Sequence, residues 1–135
     1  MSDHLLPSSC VRIRVLLVDD HPMMRRGLRT VLESYDDLEI VGEAENGMQA
    51  VIAVEWLKPS VIVMDVNMPV MNGIEATADI KSRHPSITVI GMSVQGGGAV
   101  EVAMKKAGEL MLLPKEAAVS ELYLAIQNTR LQKTS

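Results

Sequence analysis

Five short apolar segments rich in β-branched residues alternate along the chain with segments of helical periodicity. This alternation constrains the fold more than any other feature of the sequence. Strands that are joined by single helices run parallel, and continuously apolar strands indicate a sheet covered on both faces. The pattern therefore predicts an α/β fold with a doubly wound, five-stranded parallel sheet, whose strands we place at residues 12–18, 38–44, 60–65, 86–92 and 109–113.

The length and composition of the chain indicate one globular domain. The 135 residues, of which 47% are hydrophobic, supply enough apolar material for one core and leave no room for a second domain. We assign residues 12–131 to this domain, residues 1–11 to a flexible N-terminal extension, and residues 132–135 to a tail or the start of a linker.

The charge of the chain and its lack of targeting signals argue against nucleic-acid binding, secretion and membrane insertion by these residues. The net charge of −4 gives no basic footprint for DNA or for an anionic membrane surface, so DNA binding would need another segment. Cys10 is the single cysteine, the first residues lack the features of a signal peptide, and the apolar segments are too short to cross a bilayer. These features predict a cytoplasmic protein without a membrane partner.

Polar side chains stand where the predicted strands end. Because the carboxyl ends of parallel strands meet at one edge of the sheet, we expect these side chains to converge there, with Lys115 at the solvent-exposed rim. Asp19 and Asp20 follow the first strand, Asp65 ends the third, Ser93 follows the fourth, and Lys115 follows the fifth. The edge thus combines three acids, one hydroxyl and one amine.

This set of groups suits phosphoryl chemistry on a magnesium ion. Three adjacent carboxylates repel one another unless a cation joins them, and oxygen ligands favour Mg²⁺, which also binds phosphate oxygens. Asp65 could form an aspartyl phosphate, while Lys115 neutralises phosphoryl oxygens and Ser93 donates a hydrogen bond to one of them.

Each of these residues also has a simpler explanation when it is taken alone. A single aspartate at a strand end usually caps a turn or helix, and a single serine or lysine there is usually solvated. Their coincidence at one edge favours the functional interpretation. The three histidines are scattered along the sequence, so none is assigned to a metal, and Arg25, Arg26 and Arg29 are interpreted as a solvated helix face rather than a phosphate-binding patch.

Four segments resemble the response regulator receiver domain of bacterial two-component systems: VLLVDDHPMMRRGL, VIVMDVNMPVMNGIEA, VIGMS and LLPKE. The resemblance covers about residues 12–130 and implies a flavodoxin-like sheet with strand order 2-1-3-4-5. It implies that Asp65 is the phosphoacceptor and that Ser93 and Lys115 are the family's hydroxyl and lysine. Asp20 would bind Mg²⁺ directly, Asp19 would support the site, and the backbone carbonyl of Asn67 would complete the metal shell.

The resemblance also implies partners. A sensor histidine kinase would supply the phosphoryl group, a receiver homodimer is a further expectation, and the domain would act in signalling rather than on a separate metabolite. The sequence is most similar to receivers that precede a helix-turn-helix DNA-binding domain, which would control transcription. Because only QKTS follows Leu131, we expect a receiver cut from a longer protein or a natural stand-alone one.

The sequence departs from the family pattern in the region expected to switch. Leu112 stands where an aromatic residue is usual, Val94 stands where a small residue is usual, and the glycines of QGGG (95–98) stand where the fourth helix should begin. These departures predict a weak relay through Leu112 and a mobile switch region. A degenerate receiver that acts as a phosphorylation-independent interaction module is therefore the alternative.

Two other classes of protein fit the sequence less well. A haloacid dehalogenase-like phosphatase would need a carboxylate two residues after the nucleophile, where this chain has Asn67. A dinucleotide-binding module would need a glycine-rich or hydroxyl-rich loop after the first strand, where this chain has the acidic DDHPMMR.

Overall fold

A computed structural model describes residues 12–94 and 98–134, and the predicted N-terminal extension lies outside the described residues. Its strands are β1 (Ile13–Val18), β2 (Leu38–Ala44), β3 (Val61–Asp65), β4 (Thr88–Ser93) and β5 (Met111–Pro114). Its helices are α1 (Pro22–Glu33), α2 (Gly47–Leu57), α3 (Gly73–Arg83), α4 (Gly98–Ala107) and α5 (Lys115–Thr134). All strand pairs are parallel in the order β2-β1-β3-β4-β5, which confirms the predicted fold class and strand order.

The sheet is buried on both faces, which explains why its central strands are continuously apolar. Along β1, Val15 and Leu17 face a core that includes Leu28 of α1 and Leu122 of α5. The alternate residue Leu16 joins a second core on the other face, formed with α2 and α3. Because successive side chains of a strand point to opposite faces, every residue of such a strand meets an apolar environment.

The predicted strand boundaries differ from the observed ones by at most two residues. The fourth strand begins at Thr88 rather than at Ser86, because a turn in which the N–H of Ile87 donates to the carbonyl of His84 (3.0 Å) precedes it. The fifth strand begins at Met111 rather than at Glu109, whose N–H instead donates to the carbonyl of Met104 at the end of α4 (3.0 Å).

The loop after β3 is closed tightly onto the strand that carries Asp65. The N–H of Gly73 donates to the carbonyl of Val66 (2.9 Å), and a Cβ atom at Gly73 would overlap the carbonyl oxygen of Asp65. Asn72 then caps α3 through a capping box, in which its side chain accepts from the N–H of Glu75 (2.9 Å). The absence of a side chain at Gly73 therefore lets α3 begin directly beside the end of β3.

Helix α4 begins at Gly98, whose φ of +58° lies in the left-handed region that favours glycine. Residues 95–97, which include two of the glycines in the predicted switch segment, lie outside the described residues. Across the ranges 12–94 and 98–134, no helix combines the length and the apolar character that crossing a membrane requires.

Candidate functional site

The candidate site lies at the edge of the sheet formed by the carboxyl ends of its strands. Asp19 and Asp20 follow β1, Asp65 is the last residue of β3, Ser93 is the last residue of β4, and Lys115 begins α5 directly after β5. Because β1, β3, β4 and β5 are consecutive neighbours in the sheet, these residues reach the same edge.

Asp65 is completely buried, and two donors orient its carboxylate. The N–H of Asn67 donates to Oδ1 (3.2 Å), and Nζ of Lys115 donates to Oδ2 (3.0 Å). Burial raises the pKa of Asp65 to about 6, against the lowering effect of the Lys115 hydrogen bond, and the nearby charge of Asp19 raises it further. Above that pH the ionised carboxylate predominates, which is the form that can act as a nucleophile.

Asp19 and Asp20 present oxygens that suit a cation. Asp19 is 1% exposed and its Oδ1 accepts from the N–H of His21 (2.8 Å). Asp19 Oδ2 and Asp20 Oδ1 are also buried, and neither accepts a hydrogen bond of good geometry from the described residues. Lys115 Nζ lies 3.3 Å from Asp19 Oδ2, but this one ammonium group cannot balance the charge of the carboxylates of Asp19, Asp20 and Asp65 together. Buried carboxylate oxygens are costly unless cations pair with them, so this donor set fits a hard divalent ion such as Mg²⁺.

Lys115 is more enclosed than the sequence suggested. Its side chain is 12% exposed rather than at a solvent-exposed rim, and Nζ lies 3.3 Å from Asp19 Oδ2 as well as 3.0 Å from Asp65 Oδ2. The reason is that two buried carboxylates attract the ammonium group inward and compensate its loss of water.

Ser93 and Asn67 lie on segments next to the charged residues, and they differ in burial. Ser93 is fully buried at the end of β4, on the strand next to the one that carries Asp65. Asn67 is exposed in the loop after β3, and its backbone N–H contacts Asp65. Asp19, Asp20, Asp65 and Lys115 form the charged centre, with Ser93 and Asn67 on the neighbouring segments.

His21 belongs to this site, although no histidine was assigned to it from the sequence. Its Nδ1 lies 3.0 Å from Asp19 Oδ1, 3.0 Å from Asp20 Oδ1 and 3.9 Å from Asp65 Oδ2. The signal in the sequence was its place directly after the two acids, at the same strand end.

Two of the three arginines of α1, Arg25 and Arg29, form ion pairs with β2, whereas Arg26 is exposed, as the solvated-face prediction has it. Nε of Arg25 donates to Glu43 of β2 (2.6 Å), and Nη1 of Arg29 donates to the same carboxylate (2.6 Å). Nη1 of Arg25 donates in addition to the backbone carbonyl of Asp19 (2.5 Å). These two arginines therefore connect α1 to β2 and support the segment that carries Asp19.

Comparison with known proteins decides the family. A family model described as the response regulator receiver domain matches residues 15–127. This chain belongs to the response regulator receiver family. The receiver is 38% identical over 115 residues to the response regulator GacA of Pseudomonas protegens, in a match that covers 85% of this chain and 54% of GacA.

Two further similarities agree with this family. The receiver is 34% identical over 116 residues to the transcriptional regulatory protein DegU of Brevibacillus brevis, covering 86% of this chain and 49% of DegU. The crystal structure of the response regulator domain of Thermotoga maritima CheB superposes with a TM-score of 0.81 at 33% identity, covering 87% of this chain and 96% of that one. The chain spans about half the length of the regulators GacA and DegU.

Proposed function

We propose that this receiver is a Mg²⁺-dependent phosphoacceptor, in which Asp65 takes a phosphoryl group from a sensor histidine kinase. The position of Asp65 carries the proposal. Its buried carboxylate lies 3.0 Å from the ammonium group of Lys115, and the buried oxygens of Asp19 and Asp20 beside it suit a cation. The family membership supports the same chemistry.

Each residue has a defined role in the transfer. A carboxylate oxygen of Asp65 attacks phosphorus, a P–O bond forms as the P–N bond to the kinase histidine breaks, and the electron pair of that bond leaves with the imidazole, which takes a proton from solvent. Lys115 neutralises a phosphoryl oxygen, and the Ser93 hydroxyl donates a hydrogen bond to another.

Magnesium completes the charge balance of this proposed site. Asp19, Asp20, Asp65 and the backbone carbonyl of Asn67 would hold the ion, with Asp20 as a direct ligand and Asp19 in support. When bound, Mg²⁺ supplies positive charge to the phosphoryl oxygens in the transition state.

The receiver would pass its phosphorylation state to an output module that controls transcription in the cytoplasm. This proposal rests on the name of DegU as a transcriptional regulatory protein and on the observation that the receiver spans about half of such relatives. The domain would act through a change of its surface, in a complex or a receiver homodimer, rather than on a separate metabolite.

Phosphorylation by acetyl phosphate, followed by intact mass, tests the proposed chemistry. With Mg²⁺ the chain is expected to gain one phosphoryl group, and a chelator or Asp65→Asn should abolish the gain. Asp79→Asn is a matched control, because Asp79 lies on α3 and pairs with Arg83 (2.9 Å). Lys115→Ala should slow the transfer strongly, since it removes the only described ammonium beside Asp65.

Two results would contradict the proposal. An Asp65→Asn protein that is phosphorylated as readily as the original would show that another residue is the acceptor. A folded original chain that binds Mg²⁺ but takes no phosphoryl group would favour the degenerate receiver, which acts as an interaction module without phosphorylation.

A further inference from the structure

We propose that the outer face of α2 is the contact surface of a homodimer, in which the α2 helices of two copies pack antiparallel across a two-fold axis at Ile52. This surface, called here the α2 stripe, consists of Met48, Ile52 and Trp56. The inference rests on the proposed function only in that a homodimer is expected there, and it requires no phosphorylation.

Helix α2 has the composition of a buried helix, although one of its faces is exposed. Within Gly47–Leu57, Gln49 and Glu55 are the only residues with an amide or charged side chain. The inner face of the helix packs into the core through Ala50 and Val54. A helix that is apolar on all sides is typical of one that is enclosed on all sides, so we expect the outer face to be covered as well.

The α2 stripe is a continuous apolar surface. Trp56 is 83% exposed, Ile52 is 54% exposed and Met48 is 43% exposed. Residues four positions apart are neighbours on the surface of a helix, so these three side chains adjoin one another. On the adjacent helix α3, the exposed residues include Glu75 and Arg83, and none of the described large apolar side chains is exposed there.

The spacing of the α2 stripe is symmetric about Ile52, and this symmetry points to a second copy. In an antiparallel pair, Ile52 of one copy contacts Ile52 of the other, and Met48 of each copy faces Trp56 of the other. A two-fold interface requires such self-complementarity, and a thioether beside an indole ring is a favourable contact. Rows of residues four positions apart are also the ridges that the commonest class of helix packing brings together.

Charge at the two ends of α2 favours the antiparallel orientation. Glu45 precedes the helix, Lys58 is its C-cap residue, and both are exposed. An antiparallel pair brings Glu45 of each copy towards Lys58 of the other, whereas a parallel pair would bring like charges together. The charge of this surface is therefore complementary to that of a second copy.

The area of the α2 stripe sets the strength of the dimer. Its three side chains expose on the order of 400 Å² of surface. Two copies with their polar rims would bury about 1,000 Å² in total, which is near the lower limit of specific interfaces. We therefore expect a weak dimer that forms in the micromolar range.

The position of α2 in the fold agrees with a second copy rather than an output module as the partner. Helices α2 and α3 pack on one face of the sheet, and α1 and α5 pack on the other. An output module that continued from α5 would begin on the face opposite the α2 stripe.

Sedimentation equilibrium of the full chain tests the inference. Between about 10 µM and 1 mM, the mass is expected to rise from that of one chain towards that of two. Ile52→Glu places two carboxylates at the axis and should weaken association at least about tenfold. Leu124→Glu is the matched control, because Leu124 is also a large exposed apolar residue but lies on α5. Circular dichroism checks that both variants are folded.

Thiol cross-linking tests the orientation of the two helices in chains that all carry Cys10→Ser, which removes the one native thiol. With a short reagent, Ile52→Cys should link to a second copy of itself. Met48→Cys and Trp56→Cys should link to each other when mixed, and neither should link to itself. Self-linking by both of these variants would show a parallel pair and would overturn the proposed arrangement.

Three further results would overturn the inference. The first is a chain that stays monomeric over the whole concentration range, and the second is a dimer that Ile52→Glu leaves intact. The third is a monomer in which the emission of Trp56, the one tryptophan, moves to longer wavelength when residues 1–11 are removed, because those residues would then cover the α2 stripe.

Phosphorylation by acetyl phosphate is measured on the same proteins and separates the two proposals. A chain that dimerises through the α2 stripe but takes no phosphoryl group would contradict only the phosphoacceptor function. A chain that is phosphorylated at Asp65 but remains monomeric would contradict only the homodimer.

Discussion

Glu109 is a carboxylate buried away from the candidate site, in the turn between α4 and β5. The residue is 8% exposed, and its carboxylate occupies space left by the missing side chain of Gly91, where a Cβ atom would come within 2.6 Å of Oε2. Neither oxygen accepts a hydrogen bond of good geometry from the described residues. Burial raises the pKa of Glu109 to about 6, against a smaller lowering effect of Lys105.

Replacing this carboxylate by an amide should stabilise the folded chain in a pH-dependent way. Because the folded-state pKa is raised, the folded chain binds the proton more tightly, and the free energy of unfolding falls as pH rises from the ordinary glutamate range to about 6. We expect Glu109→Gln to raise the free energy of unfolding by about 1–2 kcal/mol at neutral pH and to have little effect near pH 4.

Urea unfolding at both pH values measures this difference. Glu121→Gln on α5 is the control, because Glu121 is an exposed glutamate and should show no such difference. If Glu109→Gln changes the free energy of unfolding equally at both pH values, the change comes from packing and not from ionisation of the carboxylate.

At the scale of elements, α4 is loosely anchored to the sheet. Met104 is the one fully buried side chain among its residues Gly98–Ala107. Leu112 of β5 is half-buried, and both Leu112 and Met104 reach the space beside Gly91. A helix held by so few buried side chains is expected to respond first when the neighbouring site changes.

A phosphoryl mimic should therefore affect α4 more than β5 and α5. With Mg²⁺ and beryllofluoride, we expect backbone NMR shifts to concentrate around residues 93–104, with little change beyond the edge of the site near Leu112. Leucine has no ring to move into space that Ser93 would leave on phosphorylation, so we expect the relay through Leu112 to transmit only a small population shift. Large shifts across β5 and α5 would show that Leu112 relays the signal.

At the scale of the whole molecule, the distribution of charge opposes binding to nucleic acid. The chain has a net charge of −4, and two of the arginines on α1 are already paired with Glu43. Glu43 and Glu33 together offset the charges of Arg25 and Arg29, so among the described ion pairs of this helix only Arg26 keeps its charge uncompensated for contact with phosphates.

The 135-residue chain is accordingly expected to show no DNA affinity in a gel-shift titration at physiological salt. A form that continues into a DNA-binding module would be the positive control. Sequence-specific binding by the 135 residues alone would contradict this expectation and would require a basic surface that these ion pairs do not leave.

Much of the fold was determined by local patterns along the chain. Strands and helices follow from the spacing of apolar residues, and the parallel sheet follows from their alternation. The sequence could place five side chains at one edge because each stands at the carboxyl end of a strand or just after it, which is a property of neighbouring residues: Asp19, Asp20, Asp65, Ser93 and Lys115.

The tertiary structure decided how the side chains at that edge are paired. Three sets of contacts bring together segments that are distant in the sequence or meet only at the sheet edge. They are the contacts of His21 with three carboxylates, those that enclose Lys115, and the ion pairs of Arg25 and Arg29 with Glu43. The burial of Glu109 likewise depends on the space beside Gly91 of β4, where no side chain is present. Such contacts depend on where side chains point in the packed fold, and the local periodicity of the sequence does not determine that direction.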